Sequence, residues 1–564
     1  MYFKLSLHGF FKFVLCAVVF AISSFNAAAT PKYNATIVID SNDLKKKVNR
    51  NLFGISLAKL HRQQWRPPVD LTSRDLRLLL EELSPTFITL DNTQLGLPFY
   101  IDSVGNKSTR LSTQESFERM NIPRKGVAKQ LFAKIENDKY YNRGQPPHKN
   151  YDDLLQYFQS LEPTPGFALR IPVFFTDVQG IFRALKHKLD PESGVALVRY
   201  LTDPVDSEYG KLRAKNGRKA PYDIQYIVLG NELWANNMWE DLAIKDIANQ
   251  IKRFSDGIRA VNPNIKLGIN LLDDSYPHKF LKPSVKTQHK KLMNYNQTLF
   301  ARIKHSIDFV TFHVYGGLGT EDLNKPLNTT QWQYVLSQSF FKSRYNVPRK
   351  HASFVHDSDS KIAIAIDEYS GPTSTLGGAI YNADYIIHML ENDYEYATGW
   401  SLGIMEPDNH FGIIGVEKKS GKENYYRKPG FFALKLFTQH MKGSLVNYEV
   451  DSPKYNTSKI TWERYFDWPA ENDIPSLSMV ASRQGEKIYA IIVNRNINED
   501  IKTRIHLKGE GDGKFAKLFI LSGDALNSTR VEVTEKNLTI DKKFLDIVFQ
   551  RHSVTAIEIT LTHH

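Results

Sequence analysis

Two stretches, Tyr226-Ile227-Val228-Leu229-Gly230-Asn231-Glu232 and Ile364-Ala365-Ile366-Asp367-Glu368, share one form: a short apolar run that delivers a carboxylate at its end. A run of that length without polar alternation reads as a strand covered on both faces, the condition of strands in a parallel sheet. Six more segments on either side have the same length and composition: Phe53–Leu57, Phe87–Leu90, Ala168–Phe174, Lys266–Asn270, Phe309–His313 and Thr398–Leu402. With Gln225–Leu229 and Ile362–Ile366 they make eight. Helical patterns lie between them at Ser73–Leu83, Tyr151–Leu161 and Tyr381–Leu390. The clearest places Ile244, Ile247, Ala248, Ile251, Phe254 and Ile258 at 3.6-residue spacing. Eight strand–helix units predict the α/β class and a closed (β/α)8 TIM barrel over residues 51–440.

The pattern changes after Met441. Leu477–Ser482 and Ile488–Asn494 flank a turn at Gly485, and Lys517–Leu521, Val531–Val533 and Val554–Leu561 follow. Alternating strands separated by turns predict a C-terminal antiparallel β-sandwich over 441–564. Ala35–Asp40, within residues 30–50, reads as an N-terminal strand that joins it. Residues 92–150 form a long polar insertion after the second barrel strand, and such an insertion would overhang the barrel mouth.

Composition bounds the function. The chain has 564 residues, 24% charged and 41% hydrophobic, which is a globular balance. Its single cysteine excludes a disulfide framework and any cysteine-based metal cluster. That residue, Cys16, lies in an apolar stretch that follows Lys4 and Lys12 and ends at Ala27-Ala28-Ala29, the form of a secretory signal peptide over residues 1–29. Val14-Leu15 before Cys16 do not suit a lipoprotein site. The expected location is therefore secreted or periplasmic, with no membrane span after cleavage. Loss of Lys4 and Lys12 lowers the formal charge from +12 to +10. The basic clusters at 45–47, 289–291 and 418–419 are short and lack interleaved aromatics, so no nucleic-acid partner is expected. Seven N-x-S/T sequons occur, at Asn34, Asn106, Asn296, Asn328, Asn456, Asn527 and Asn537.

Carboxylates at the C-terminal ends of two barrel strands stand where such barrels keep their chemistry. Glu232 and Glu368, facing across one mouth, suit glycoside hydrolysis: one donates a proton to the leaving oxygen while the other attacks the anomeric carbon. Between them in the chain, Asp308-Phe309-Val310-Thr311-Phe312-His313-Val314-Tyr315 ends the sixth barrel strand. His313 is placed to bond the nucleophile or a sugar hydroxyl, and Tyr315 to orient the attacking carboxylate. Asn231 is a candidate for a sugar hydroxyl, and Trp400 on the eighth strand for the floor under a sugar ring. No metal or organic cofactor is required. The partner is a polysaccharide or oligosaccharide; the oligomeric state is open.

Gly230-Asn231-Glu232 and Asp367-Glu368 resemble the retaining glycoside hydrolases of clan A, and most of all the α-L-arabinofuranosidases. The approach Leu212–Gly217 with Pro221–Tyr226, the first strand Asn51-Leu52-Phe53-Gly54 and the Phe312-His313-Val314-Tyr315 strand resemble that family too. The resemblance implies Glu232 as acid/base, Glu368 as nucleophile, and a barrel with an attached β-sandwich. One departure concerns the substrate. Relatives, including the heparanase-like enzymes, usually carry an Arg and a Gly-Gly pair at the second strand, whereas this chain has Leu83-Ser84-Pro85-Thr86-Phe87-Ile88-Thr89-Leu90-Asp91-Asn92. The Leu-Ser-Pro is heparanase-like, and the substrate floor is altered. An endo-acting hydrolase of an acidic glycan, heparanase- or glucuronidase-like, and a catalytically inactive carbohydrate-binding protein are the alternatives.

Gly399-Trp400-Ser401-Leu402-Gly403 matches the G-x-S-x-G pattern of a serine-hydrolase elbow. That chemistry needs a helix after the serine, and residues 404–415, with Pro407, Gly412 and Gly415, lack helical periodicity. Gly509–Gly513 lies between strands and reads as a turn, and no H-E-x-x-H occurs.

Overall fold

The computed structural model describes residues 33–57, 73–91, 151–174, 188–233, 244–272, 295–316, 326–344, 362–403, 411–419, 422–459, 469–509 and 511–562. The signal segment with Cys16 and the 92–150 insertion lie outside them. Strand β1 (Ala35–Lys47) precedes a closed barrel of β2 (Gly54–Ser56), β3 (Phe87–Asp91), β4 (Gly166–Ile171), β5 (Tyr226–Leu229), β6 (Lys266–Leu271), β7 (Phe309–Tyr315), β8 (Ala363–Ser370) and β9 (Ala397–Gly399). All neighbours pair in parallel, and β9 returns to β2. The predicted (β/α)8 barrel is the observed fold.

Helices form where the apolar spacing predicts. Arg74–Leu83 starts at Ser73, whose hydroxyl accepts from the Leu76 N–H and so satisfies one orphan donor of the first turn. Ile244–Val261 buries Ile247, Ala248, Ile251, Phe254 and Ile258 on one face. The barrel floor is a packed plug of Phe87, Tyr226, Phe309 and Tyr396, with Phe87 and Tyr396 stacked at 4.6 Å. Inward side chains alternate along each strand. On β7 that alternation carries Phe309, Thr311, His313 and Tyr315 from the plug up to the mouth.

The C-terminal part is one continuous nine-stranded sheet. Its strands are β1 and, after the hairpin β10 (Ile414–Lys419) and β11 (Lys422–Arg427), β12 (Ser444–Asp451), β15 (Leu477–Gln484), β16 (Lys487–Asn494), β17 (Ile501–Lys508), β18 (Asp512–Ser522), β19 (Val533–Thr539), β20 (Phe544–Phe549) and β21 (Ser553–Thr562). A small hairpin of β13 (Lys454–Thr457) and β14 (Glu471–Pro475) lies apart. The sheet folds over its own apolar face: Ile37 and Ile39 share a core with Ile488, Ile492, Ile505, Leu518, Ile547 and Ile559. As the sequence predicts, β1 joins it, between β12 and β17. One pairing departs from the antiparallel expectation, since β1 and β17 run parallel. No hairpin links two strands so far apart in sequence, so no turn dictates their direction.

The other face of the sheet packs on the barrel. Along β16, Ile488, Ala490 and Ile492 enter the sheet's own core while Ile491 and Val493 join the barrel-side core. Helix Leu376–Glu391 lies at this junction and is buried nearly all round, which accounts for its largely apolar composition. Polar bonds cross there as well: Asp384 and Arg495 pair at 2.9 Å, and the Leu376 and Gly377 N–H groups donate to the Ser528 and Leu526 carbonyls. Two sequon asparagines are inward-facing: the Asn296 amide bonds the backbone of Leu272 and that of Asn527 the backbone of Leu327. Among the described residues no helix is long and apolar enough to cross a membrane.

Candidate active site

Glu232 sits just past β5 on a turn with two left-handed residues, Gly230 at φ +85° and Glu232 itself at φ +45°. Glycine adopts the first without strain. The second is uncommon for a glutamate and belongs to the kind of local strain held at functional sites. Asn270 on β6 holds the turn: its Oδ1 accepts the Glu232 N–H at 3.1 Å while its amide donates to Thr311 at 3.1 Å. The Glu232 side chain keeps 33% of its surface exposed, open to the mouth.

Glu368 comes from β8, and there the strand is irregular. Against β7, Thr311 pairs with Ala365 and His313 with Glu368, so three residues of β8 oppose two of β7. The same extra residue appears against β9, where Ile366 pairs with Ala397 and Tyr369 with Gly399. In a regular strand Asp367 and Glu368 would point to opposite faces; the bulge turns both toward the barrel interior. Each is then met by Arg170 of β4, whose Nη2 donates to Asp367 Oδ2 and Nη1 to Glu368 Oε1, both at 2.7 Å. All three side chains are buried, Glu368 with 5% of its surface exposed.

His313 ties the group together. Its Nδ1 lies 2.7 Å from Glu232 Oε1 and 3.3 Å from Glu368 Oε2, and its Nε2 lies 3.3 Å from Asp367 Oδ1. Tyr315 donates its hydroxyl to Glu368 Oε2 at 2.5 Å. Burial opposes a charge on His313, but Glu368 and Asp367, with the bonds to Asp367 and Glu232, outweigh it and raise the imidazole to about 10. It is therefore an imidazolium at neutral pH. Burial pushes Asp367 up, and Arg170 and His313 more than reverse this, leaving it at about 2. For Glu368 burial prevails: with Glu232 and Asp367 nearby it lies above the ordinary carboxylate range, although His313 and Arg170 pull it down. Burial, then the Glu368 charge, keeps the Tyr315 hydroxyl protonated, far above its usual range.

The structure brings Glu232, Glu368, His313 and Tyr315 into one bonded cluster. His313 reaches both glutamates, Glu232 at 2.7 Å and Glu368 at 3.3 Å. Asn231, 7% exposed, adjoins the cluster, and its Oδ1 has no hydrogen-bond partner among the described residues. Trp400 directly follows β9, buried at the same end of the barrel, with its backbone N–H on the Tyr369 carbonyl and a non-proline cis peptide to Ser401. Ser401 is fully buried, and Gly403 pairs with Ile414 at the start of the β10–β11 hairpin, not the setting of a nucleophile elbow.

Three residues escape a sequence reading: Arg170, Asn270, and Asp367 as a functional group in its own right. Arg170 carries a signal, a lone charge in the apolar run Ala168–Phe174. Arg170 stands on the third barrel strand, whereas the resemblance leads one to expect an arginine on the second. Donor atoms of Glu232, His313 and Glu368 come within 4.8 Å of one another, a spacing that suits a shared cation. The donor chemistry does not: both imidazole nitrogens face carboxylates, and a divalent ion would stand beside the fixed charges of His313 and Arg170.

The barrel mouth thus holds two facing strand-end carboxylates beside a buried arginine and a histidine. Comparison with known proteins bears on what such a site does. The family model for the alpha-L-arabinofuranosidase 1 domain matches residues 137–309. A probable alpha-L-arabinofuranosidase C of Aspergillus fumigatus is 22% identical over 429 residues, 73% of this chain and 77% of that protein. The GH51 alpha-L-arabinofuranosidase of Thermotoga petrophila superposes with a TM-score of 0.69 at 18% identity, covering 93% of this chain and 99% of that one. The alpha-L-arabinofuranosidase of Thermotoga maritima, solved with arabinose, gives 0.68 at 17% identity, with 93% and 100% covered. These structures share the fold. The chain resembles the arabinofuranosidases, and the likeness supports a glycosidase.

Proposed function

We propose that the protein is an exported, retaining glycoside hydrolase of arabinofuranosidase-like action. Glu232 protonates the glycosidic oxygen as the C–O bond breaks, and Glu368 bonds to the anomeric carbon. Water, deprotonated by Glu232, then releases the sugar and regenerates Glu368. Asn231 binds a sugar hydroxyl, and Trp400 floors the ring. The observation that carries this reading is the meeting of the two glutamates at the barrel mouth, where an oxygen of one lies within 4.8 Å of an oxygen of the other and both approach His313 Nδ1. Retaining enzymes hold their carboxyl groups about 5–5.5 Å apart, and inverting ones leave about 6.5–9.5 Å for a water.

Glu232→Ala and Glu368→Ala test it on an activated aryl arabinofuranoside. Both lose turnover; azide rescues the first as a glycosyl azide of retained configuration and the second as one of inverted configuration. Wild-type-like activity in both variants refutes the mechanism. A panel of neutral and acidic polysaccharides separates the other readings: cleavage of acidic glycans into oligosaccharides selects endo action, and binding without hydrolysis selects a binding protein. A mature N-terminus at Thr30 checks export.

A further inference from the structure

Asp367, one residue before Glu368, takes no part in the double displacement, yet it lies at the centre of the cluster. Its Oδ2 accepts from Arg170 at 2.7 Å and its Oδ1 faces His313 Nε2 at 3.3 Å, with no side-chain exposure. The opposite edge of the same imidazole presents Nδ1 to Glu232 at 2.7 Å and Glu368 at 3.3 Å. A buried carboxylate close to one ring nitrogen keeps a proton on that nitrogen, and its negative charge favours a second proton on the other, so that the ring is held as a cation.

We propose that Asp367 is a positioning residue that holds His313 as an imidazolium, whose Nδ1 edge, 2.7 Å from Glu232 and 3.3 Å from Glu368, offsets the negative charge on whichever of the two glutamates carries it. This deepens the function proposed above and rests on it. In the resting enzyme Glu232 carries its proton and Glu368 the negative charge. When Glu232 gives that proton to the leaving oxygen and Glu368 becomes an ester, the negative charge has moved from Glu368 to Glu232. His313 lies beside both positions. With Arg170 and His313 positive and Asp367 negative, the cluster is neutral before and after the step. A neutral histidine would leave one uncompensated charge in both states, in surroundings where that is expensive. The charged and titratable groups facing His313 are Glu232 after β5, Asp367 and Glu368 on β8, with Arg170 on β4 and Tyr315 on β7 completing the ring of contacts to Glu368.

The test uses the full chain, labelled with 15N-histidine and followed by NMR from pH 5 to 10, with His313→Gln to assign the signal. In the wild type both ring nitrogens stay protonated past pH 8. In Asp367→Asn the titration falls by more than one pH unit. Kinetically, kcat/KM of Asp367→Asn falls about 10-fold one pH unit above the variant's own lowered titration, the fraction of imidazolium lost there, and recovers toward wild type at pH 5. A loss of equal size at both pH values, or an unmoved titration, assigns Asp367 a packing role and overturns the proposal. So does a wild-type His313 that is neutral at pH 7, a result that needs no folded variant. Because the NMR measurement uses no substrate, its failure is distinct from a failure of Glu232→Ala and Glu368→Ala to lose turnover, which would refute the glycosidase mechanism instead.

Discussion

Arg170→Met removes the guanidinium that pairs with both Asp367 and Glu368 and keeps an unbranched chain of similar reach in the barrel. Both lost contacts are 2.7 Å hydrogen bonds to fully or nearly fully buried carboxylates. Breaking a buried ion pair from one side costs about 3–5 kcal/mol, because the remaining charge stays desolvated without its partner. Here two carboxylates are left, with His313 the one cation beside them among the described residues, so the upper part of that range applies. The kinetic consequence has a definite sign. Burial already holds Glu368 above the usual carboxylate range, and Arg170 is one of the two groups opposing it. Without Arg170, Glu368 protonates at higher pH, and the acid limb of kcat/KM moves up. Arg170→Lys keeps a charge but not the fork, and a single ammonium serves one carboxylate well; its loss is intermediate. The assays are urea unfolding at pH 7 and the pH profile of kcat/KM on an aryl glycoside. A Met variant within about 1 kcal/mol of wild type, with its acid limb unmoved, would refute the assignment of Arg170 as the counter-ion of this pair.

Gly230→Ala places a Cβ at φ +85° and 3.0 Å from Leu233 Cδ1; it should cost about 1–2 kcal/mol and lower kcat by misaiming Glu232, both measurable by melting and steady-state kinetics. Arg495→Ala takes the guanidinium from Asp384 at the barrel–sheet junction and leaves it the Ser478 hydroxyl, so stability falls by about 3 kcal/mol in denaturant melts while kcat/KM at 25 °C is retained. Charge linkage at His313 sets an alkaline slope: its folded-state value of about 10 exceeds the ordinary 6.5, so the contribution is complete below about 6.5 and fades as pH rises through about 10. Thermal melts of wild type minus His313→Gln across that window should show it. Asp367 works the other way: lowered to about 2, its contribution is complete above about 3.8 and is lost as pH falls through about 2.

Much of the barrel was legible in the chain. The run Tyr226–Leu229 ending in Gly230-Asn231-Glu232 announces a buried strand and a carboxylate at its mouth, because local apolar length and a glycine turn are properties of adjacent residues. Alternation on Phe309–Tyr315 likewise puts His313 and Tyr315 on one face. The sheet was harder to read. Ile501–Lys508 alternates with the outward polar Lys502, Arg504, His506 and Lys508, whereas Phe544–Phe549 turns Phe544, Asp546 and Val548 outward and so reads as almost wholly apolar.

The sequence by itself determined the class of fold, the two strand-end glutamates, and the face on which His313 and Tyr315 stand, since each depends on spacing within a few residues. Tertiary structure alone decided what those groups do to one another. Arg170 lies almost 200 positions from Asp367 and meets it because barrel closure brings β4 opposite β8. The extra residue in β8 is visible only against its neighbours on both sides, and it is what lets Asp367 and Glu368 enter the same cavity. Charge states follow from these contacts and from burial, which depend on distances across the barrel and not on distance along the chain.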